Sequence, residues 1–200
     1  PYEVINCEKH RKLNREMARE SIVLLKNDGI LPLRKEQKVA VIGPAADDRN
    51  VLLGNYNGRP FYWRTYLEGI ADYATQIYYA KGCLYSENEV DQSGEKPLRE
   101  ALIAAKKADV VLLCLGLNSS MEGEEGIESD NSQLSGDKLD LELPKCQKEL
   151  YEQIKALGKP MIFINTSGSC VNLQDQDASC NAVIQCFYPG AEGGRALADI

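Results

Sequence analysis

The sequence predicts an α/β fold, a three-layer sandwich in which a mainly parallel sheet is flanked by helices. Two observations carry this. Short apolar runs at 38–43, 77–80, 109–115, 160–165 and 182–187 alternate with segments whose apolar residues recur at helical spacing. Most of these runs are continuously apolar, which marks strands buried on both faces, and strands joined through helices run parallel with right-handed crossovers.

Residues 14–25 carry Met17, Ile22, Val23 and Leu25 among charges, a pattern that predicts an amphipathic helix ending at the Asn27-Asp28-Gly29 turn. A helical arm over 1–35 is thus expected to lead into the α/β domain over 36–200. The first strand, Lys38-Val39-Ala40-Val41-Ile42, stops at Gly43-Pro44. A stretch rich in Asn, Gly and aromatics, 55–65, reads as a long loop. A short strand, 77–80, is stopped by Gly82. Leu98, Ala101, Leu102 and Ala105 then place a helix over 97–108, which feeds the most apolar strand, 109–115. After an acidic loop, Leu143-Pro144 opens a helix with Leu150, Ile154 and Leu157 on one face and Gly158 at its C-cap. Strands at 160–165 and 182–187 follow, and a last helix begins after Pro189-Gly190.

The composition narrows the function. The chain has 200 residues, 44% hydrophobic and 26% charged, with a net charge of -7. No basic stripe is present to neutralise phosphates, which argues against a nucleic-acid partner. The apolar runs are too short to span a membrane. Nothing at the N-terminus resembles a signal peptide. The chain opens on Pro1 and stops within an apparent helix, so a fragment is expected. Seven cysteines sit mostly inside apolar segments without a CxxC pair, which favours reduced thiols and a cytoplasmic setting. With His10 the only histidine, zinc by the usual spacings is disfavoured. A Cys7/His10 nucleophile pair would lack an orienting third group. The turn Gly43-Pro44-Ala45-Ala46-Asp47-Asp48 has neither GxGxxG spacing nor a P-loop, and its acids stand where a pyrophosphate would need free N–H groups. No cofactor is implied.

The loop over 118–140 is the informative segment. It follows the 109–115 strand, and in open α/β sheets ligands gather beyond the carboxyl ends of the strands. It holds Glu122, Glu124, Glu125, Glu128, Asp130 and Asp137 with almost no cations. Three readings stand open: a solvated acidic loop; a calcium loop over 131–142, with Gly136 and Glu142 at suitable offsets but Asn131 and Gln133 in place of acidic ligands; and general acid/base catalysis by a carboxyl whose pKa is raised by its neighbours.

Several phrases resemble one family in order. Ala18-Arg19-Glu20-Ser21-Ile22-Val23-Leu24-Leu25-Lys26-Asn27-Asp28-Gly29-Ile30-Leu31-Pro32-Leu33 is similar to the signature that opens the C-terminal α/β sandwich domain of glycoside hydrolase family 3. Residues 39–44 resemble its first sandwich strand. Gly54-Asn55-Tyr56-Asn57-Gly58 and Tyr79-Ala80-Lys81-Gly82-Cys83 resemble its β-xylosidase-like and β-glucosidase-like branches, and Pro189-Gly190-Ala191-Glu192-Gly193-Gly194 its late strand-to-helix turn.

The resemblance implies a retaining mechanism. An aspartate of an N-terminal barrel domain, absent from this chain, acts as nucleophile, and a glutamate from a sandwich loop acts as acid/base. By position, Met121-Glu122-Gly123-Glu124 supplies the family's Glu-x-Glu, Gly136-Asp137-Lys138 stands for Gly-Asp-Arg, and Leu141-Glu142-Leu143-Pro144 closes the motif. Glu124 is thereby the acid/base, with Glu122 the alternative and Glu125 a more distant one. For Glu122, orientation of the loop backbone through a hydrogen bond stands equally with direct substrate contact. Two departures are visible: residues 125–135 lengthen the loop, and Lys138 replaces arginine, which forfeits bidentate carboxylate pairing. The implied partners are a β-linked oligosaccharide or glycoside and the barrel. A non-catalytic sugar-binding or scaffold module of the same fold is the other reading. Asn55, Tyr56, Asn57, Arg59, Tyr62, Trp63 and Arg64 could stack on sugar or meet the barrel with equal ease.

Overall fold

A computed structural model describes residues 1–87, 97–122, 138 and 140–200. Its centre is a six-stranded sheet. In chain order the strands are β1 (Val23–Asn27), β2 (Lys38–Ile42), β3 (Gln76–Ala80), β4 (Val110–Gly116), β5 (Met161–Thr166) and β6 (Ala182–Gln185). They lie side by side as β1-β6-β5-β4-β2-β3. All neighbours pair in parallel except β1, which runs antiparallel to β6 at the edge. The helices are α1 (Glu8–Ser21), α2 (Tyr66–Ala71), α3 (Pro97–Lys107), α4 (Lys145–Lys155), α5 (Gln174–Ser179) and α6 (Gly193–Ala198).

Alternate side chains of each strand leave the sheet on opposite faces, and two cores result. On one face Val39, Val41, Leu112, Cys114, Ile162, Ile164 and Ile184 pack with Ala18 of α1, Tyr66 and Ile70 of α2, and Ala196 and Leu197 of α6. On the other, Ala40, Ile42, Val111, Leu113, Leu115, Phe163 and Val183 pack with Ala101, Ala104 and Ala105 of α3 and Leu150, Tyr151 and Ile154 of α4. Every residue of β4 and β5 is buried, as their unbroken apolar runs require. The expected three-layer α/β sandwich is therefore the fold of this chain.

The predicted 14–25 helix is corrected. It ends at Ser21, and Ile22 is extended, with φ -70° and ψ 131°. The β-branched pair Ile22-Val23 disfavours helix, and the open edge of β6 offers a ladder for the residues that follow. Strand β6 is also shorter than predicted, because Phe187 adopts a φ of 53° that takes the backbone out of extended conformation. The short helices α2 and α5 lacked a full helical period to announce them. Helix α2 is instead held by a capping box, in which the Thr65 hydroxyl accepts from Glu68 N–H and the Glu68 carboxylate accepts from Thr65 N–H at 2.9 Å.

Candidate functional site: the acidic loop at the carboxyl edge

From β2 the chain steps outward to β3 and then returns to the other side of β2 as β4, so the strand order reverses at the β2–β4 boundary. Such a boundary opens a crevice beyond the strands' carboxyl ends. Glycines terminate both strands there. Gly43 and Gly116 have φ values of 127° and 132°, and a Cβ on Gly116 would stand 2.1 Å from the Thr166 carbonyl oxygen. Only glycine lets these backbones pass so closely.

The exit of β4 is fixed. The buried Gln147 of α4 accepts from Gly116 N–H at 2.8 Å and donates to Gly116 O at 2.7 Å and Tyr85 O at 2.8 Å. Leu117 N–H donates to Thr166 O at 2.7 Å. Asn118 then shapes a turn, its Oδ1 accepting from the N–H groups of Ser120 and Met121, each at 3.1 Å. The Met121 side chain is 2% exposed and pins the start of the loop into the core.

Glu122 comes next, and protein donors surround its carboxylate. Gly168 N–H donates to Oε2 at 2.7 Å and Ser169 N–H to Oε1 at 2.9 Å. The Ser169 hydroxyl also donates to Oε1, and the Tyr188 hydroxyl to Oε2. The Glu122 carbonyl accepts from Asn55 Nδ2 at 3.2 Å. Burial and the adjacent Glu122 carboxylate push the Tyr188 phenol well above its ordinary range, so it stays a donor. An acid/base must turn an oxygen toward the substrate, and both oxygens of Glu122 are engaged by protein.

Glu124, Glu125, Glu128, Asp130 and Asp137 lie outside the described residues. Beyond them, Lys138 donates from Nζ to the Cys170 carbonyl. Glu142, the last position of the calcium-type spacing, accepts from Asn172 Nδ2 at 2.8 Å and meets Lys148 Nζ at 3.2 Å; those contacts lower its pKa, the Asn172 bond first. The aromatic loop divides. Tyr62 is ringed by the guanidiniums of Arg11, Arg64 and Arg195 at 5.4 to 5.7 Å, and Arg49 stacks over Trp63 at 4.7 Å. Tyr56 and Phe61 are exposed at 87% and 85%.

The other candidates fall elsewhere. Cys7 precedes α1 and His10 lies on its exposed side. Asp47, in the turn after β2, accepts from the Thr65 hydroxyl at 2.8 Å. An apolar cavity of about 290 Å³, lined by Val39, Ile70, Leu112 and Ile162 among others, contains none of the loop's described carboxylates. Sequence reasoning did not single out Gly168, Ser169 or Tyr188. Their only sequence signal is position, since they follow the apolar runs of β5 and β6, whose carboxyl ends share the edge with β4.

Sheet, covering helices and carboxylate-bearing loop together define an α/β sandwich domain that carries its polar machinery on strand-to-helix loops. The model of the glycosyl hydrolase family 3 C-terminal domain matches residues 22–200, and the chain belongs to that family. Its relatives include a periplasmic β-glucosidase of Salmonella typhimurium, 34% identical, with 96% of this chain and 26% of the relative covered. An exo-1,4-β-xylosidase of Emericella nidulans is 39% identical over 92% of this chain and 22% of its own length. Among solved structures, a β-glucosidase from Erythrobacter marinus superposes with a TM-score of 0.83 at 36% identity, covering 99% of this chain and 29% of that one. A family 3 exo-β-xylosidase bound to a xylobiose aziridine probe gives a TM-score of 0.81 at 34% identity, covering 96% and 23%. The chain spans about a quarter of the length of the curated relatives it matches.

Proposed function

We propose that this chain is the acid/base-bearing domain of a retaining β-glycosidase that removes terminal β-linked glucose or xylose, working with an N-terminal barrel that supplies the nucleophile. The observation that carries the reading is the acidic loop itself. It leaves the carboxyl end of β4 at the sheet's switch point, in a chain whose relatives are β-glucosidases and β-xylosidases.

In this mechanism an aspartate of the barrel attacks the anomeric carbon as Glu124 hands its proton to the departing glycosidic oxygen. Glu124, now a carboxylate, takes a proton from water, which displaces the aspartate and restores the sugar's original configuration. Glu124 is preferred to Glu122 because the carboxylate of Glu122 is spent on Gly168, Ser169 and Tyr188.

The test compares Glu124→Ala and Glu122→Ala in the protein that includes its barrel, on aryl β-glycosides with good and poor leaving groups, with and without azide. Glu124→Ala should lose activity on poor leaving groups and form a β-glycosyl azide on activated ones. If only Glu122→Ala does so, the acid/base is Glu122. If neither does, neither Glu124 nor Glu122 transfers the proton.

A further inference from the structure

We propose that Glu122, Tyr188 and Lys138 are positioning residues that fasten both ends of the acid/base loop to one turn, residues 167–170. The proposal rests on the reading of that loop as the carrier of the acid/base. At the entry, the Glu122 carboxylate takes two backbone N–H groups of the turn, the Ser169 hydroxyl and the Tyr188 hydroxyl. At the exit, Lys138 donates to the carbonyl of Cys170 in the same turn. The loop therefore leaves and returns at one place.

The turn is itself rigidly built. Asn165 Nδ2 at the end of β5 donates to the Ser167 hydroxyl at 3.0 Å, and Gln185 Nε2 at the end of β6 donates to the Ser167 carbonyl at 3.1 Å. Gly168 is required for the close fit: a Cβ there would stand 2.8 Å from the Tyr188 ring and 3.1 Å from the Glu122 carboxylate. Charge-assisted hydrogen bonds to a carboxylate are short and strong. Three parallel strands thus fix the two ends of the loop. Loop sites need such support, because proton transfer tolerates little displacement.

This arrangement gives Lys138 a function that does not require the fork of an arginine. A backbone carbonyl asks for one donor, which an ammonium supplies.

The experiment uses the protein with its barrel and the variants Tyr188→Phe, Glu122→Gln and Lys138→Ala, with thermal melts to confirm folding. On β-glycosides with poor leaving groups kcat should fall about tenfold in Tyr188→Phe and about a hundredfold in Glu122→Gln, with KM little changed. On a dinitrophenyl glycoside, which leaves without protonation, kcat/KM should stay near the unmodified value in all three, because the first step there needs no acid. Amide hydrogen exchange over residues 123–137 should quicken in each. Glu122→Asp, which keeps the charge but shortens the reach, should recover part of the loss seen in Glu122→Gln.

Equal rates across leaving groups together with unchanged exchange would overturn the proposal. So would a Glu122→Gln enzyme whose activity azide rescues while Glu124→Ala is not rescued, since Glu122 would then be transferring the proton itself. Failure of the underlying reading looks different: Glu124→Ala would remain active on poor leaving groups while exchange over 123–137 still rose in the three variants, which would assign the clamp to a loop without proton-transfer chemistry and overturn its catalytic role.

Discussion

Cysteine and tyrosine residues show most plainly how position governs chemistry in this chain. All seven cysteines are among the described residues, and no disulfide joins them. Burial pushes the Cys186 thiol up to about 12 and Cys180 up to about 11, and raises Cys114 further still. Cys146, half-buried near the start of α4, moves the other way: a hydrogen bond from Cys83 lowers it, with smaller help from backbone N–H groups. Thiolates are the reactive form, and their fraction at a given pH follows the pKa. At pH 8, iodoacetamide should therefore modify Cys146 well before Cys180, while Cys114 and Cys186 remain unmodified until the protein unfolds. Peptide mass spectrometry over a labelling time course checks this order. Labelling of Cys114 at the rate of Cys146 would contradict the described burial. None of these differences among the cysteines of the apolar segments was legible in sequence, because a thiol's environment is set by which face of the sheet or helix it joins.

At the scale of elements, the crossing of α2 and α6 is among the tightest contacts of the described residues. A Cβ on Gly69 would stand 2.0 Å from the Gly194 carbonyl oxygen, and one on Gly194 would stand 1.9 Å from the Thr65 carbonyl oxygen. The Gly193-Gly194 pair thus serves helix packing. Backbone cannot yield as a flexible side chain can. Gly194→Ala should destabilise the domain by about 3 kcal/mol or unfold it, the range of severe overpacking. Thr65→Ala, which removes the capping box of α2, should cost about 1 kcal/mol. Urea melts of the two variants would rank them, and a Gly194→Ala protein as stable as the parent would show that α2 and α6 separate readily. The buried strands β4 and β5 were legible as apolar runs, and α3 and α4 as amphipathic periods. Strand β1 was not, because its exposed residues carry no burial pattern and its conformation comes from the edge of β6, which is remote in sequence.

The whole molecule offers one wall of the proposed catalytic site. Retaining hydrolysis needs a nucleophile and an acid/base on opposite sides of the sugar, and the proposed function assigns the first to a barrel outside this chain. The 200-residue chain alone should then fold, since both faces of its sheet are covered, and should give no turnover of β-glucosides or β-xylosides. Release of nitrophenol from the purified chain, tracking with the protein through chromatography, would refute the two-domain reading. The sequence by itself determined the layered α/β architecture, the family resemblance and the delivery of an acidic loop to the end of β4. Those properties are local, written in runs and periods that each buried face imposes on the residues beside it. Only the tertiary structure decided what Glu122 does. Its donors lie 46, 47 and 66 residues away, on turns after β5 and β6. They meet it because parallel pairing gathers the carboxyl ends of those strands beside β4, a juxtaposition that no local pattern encodes.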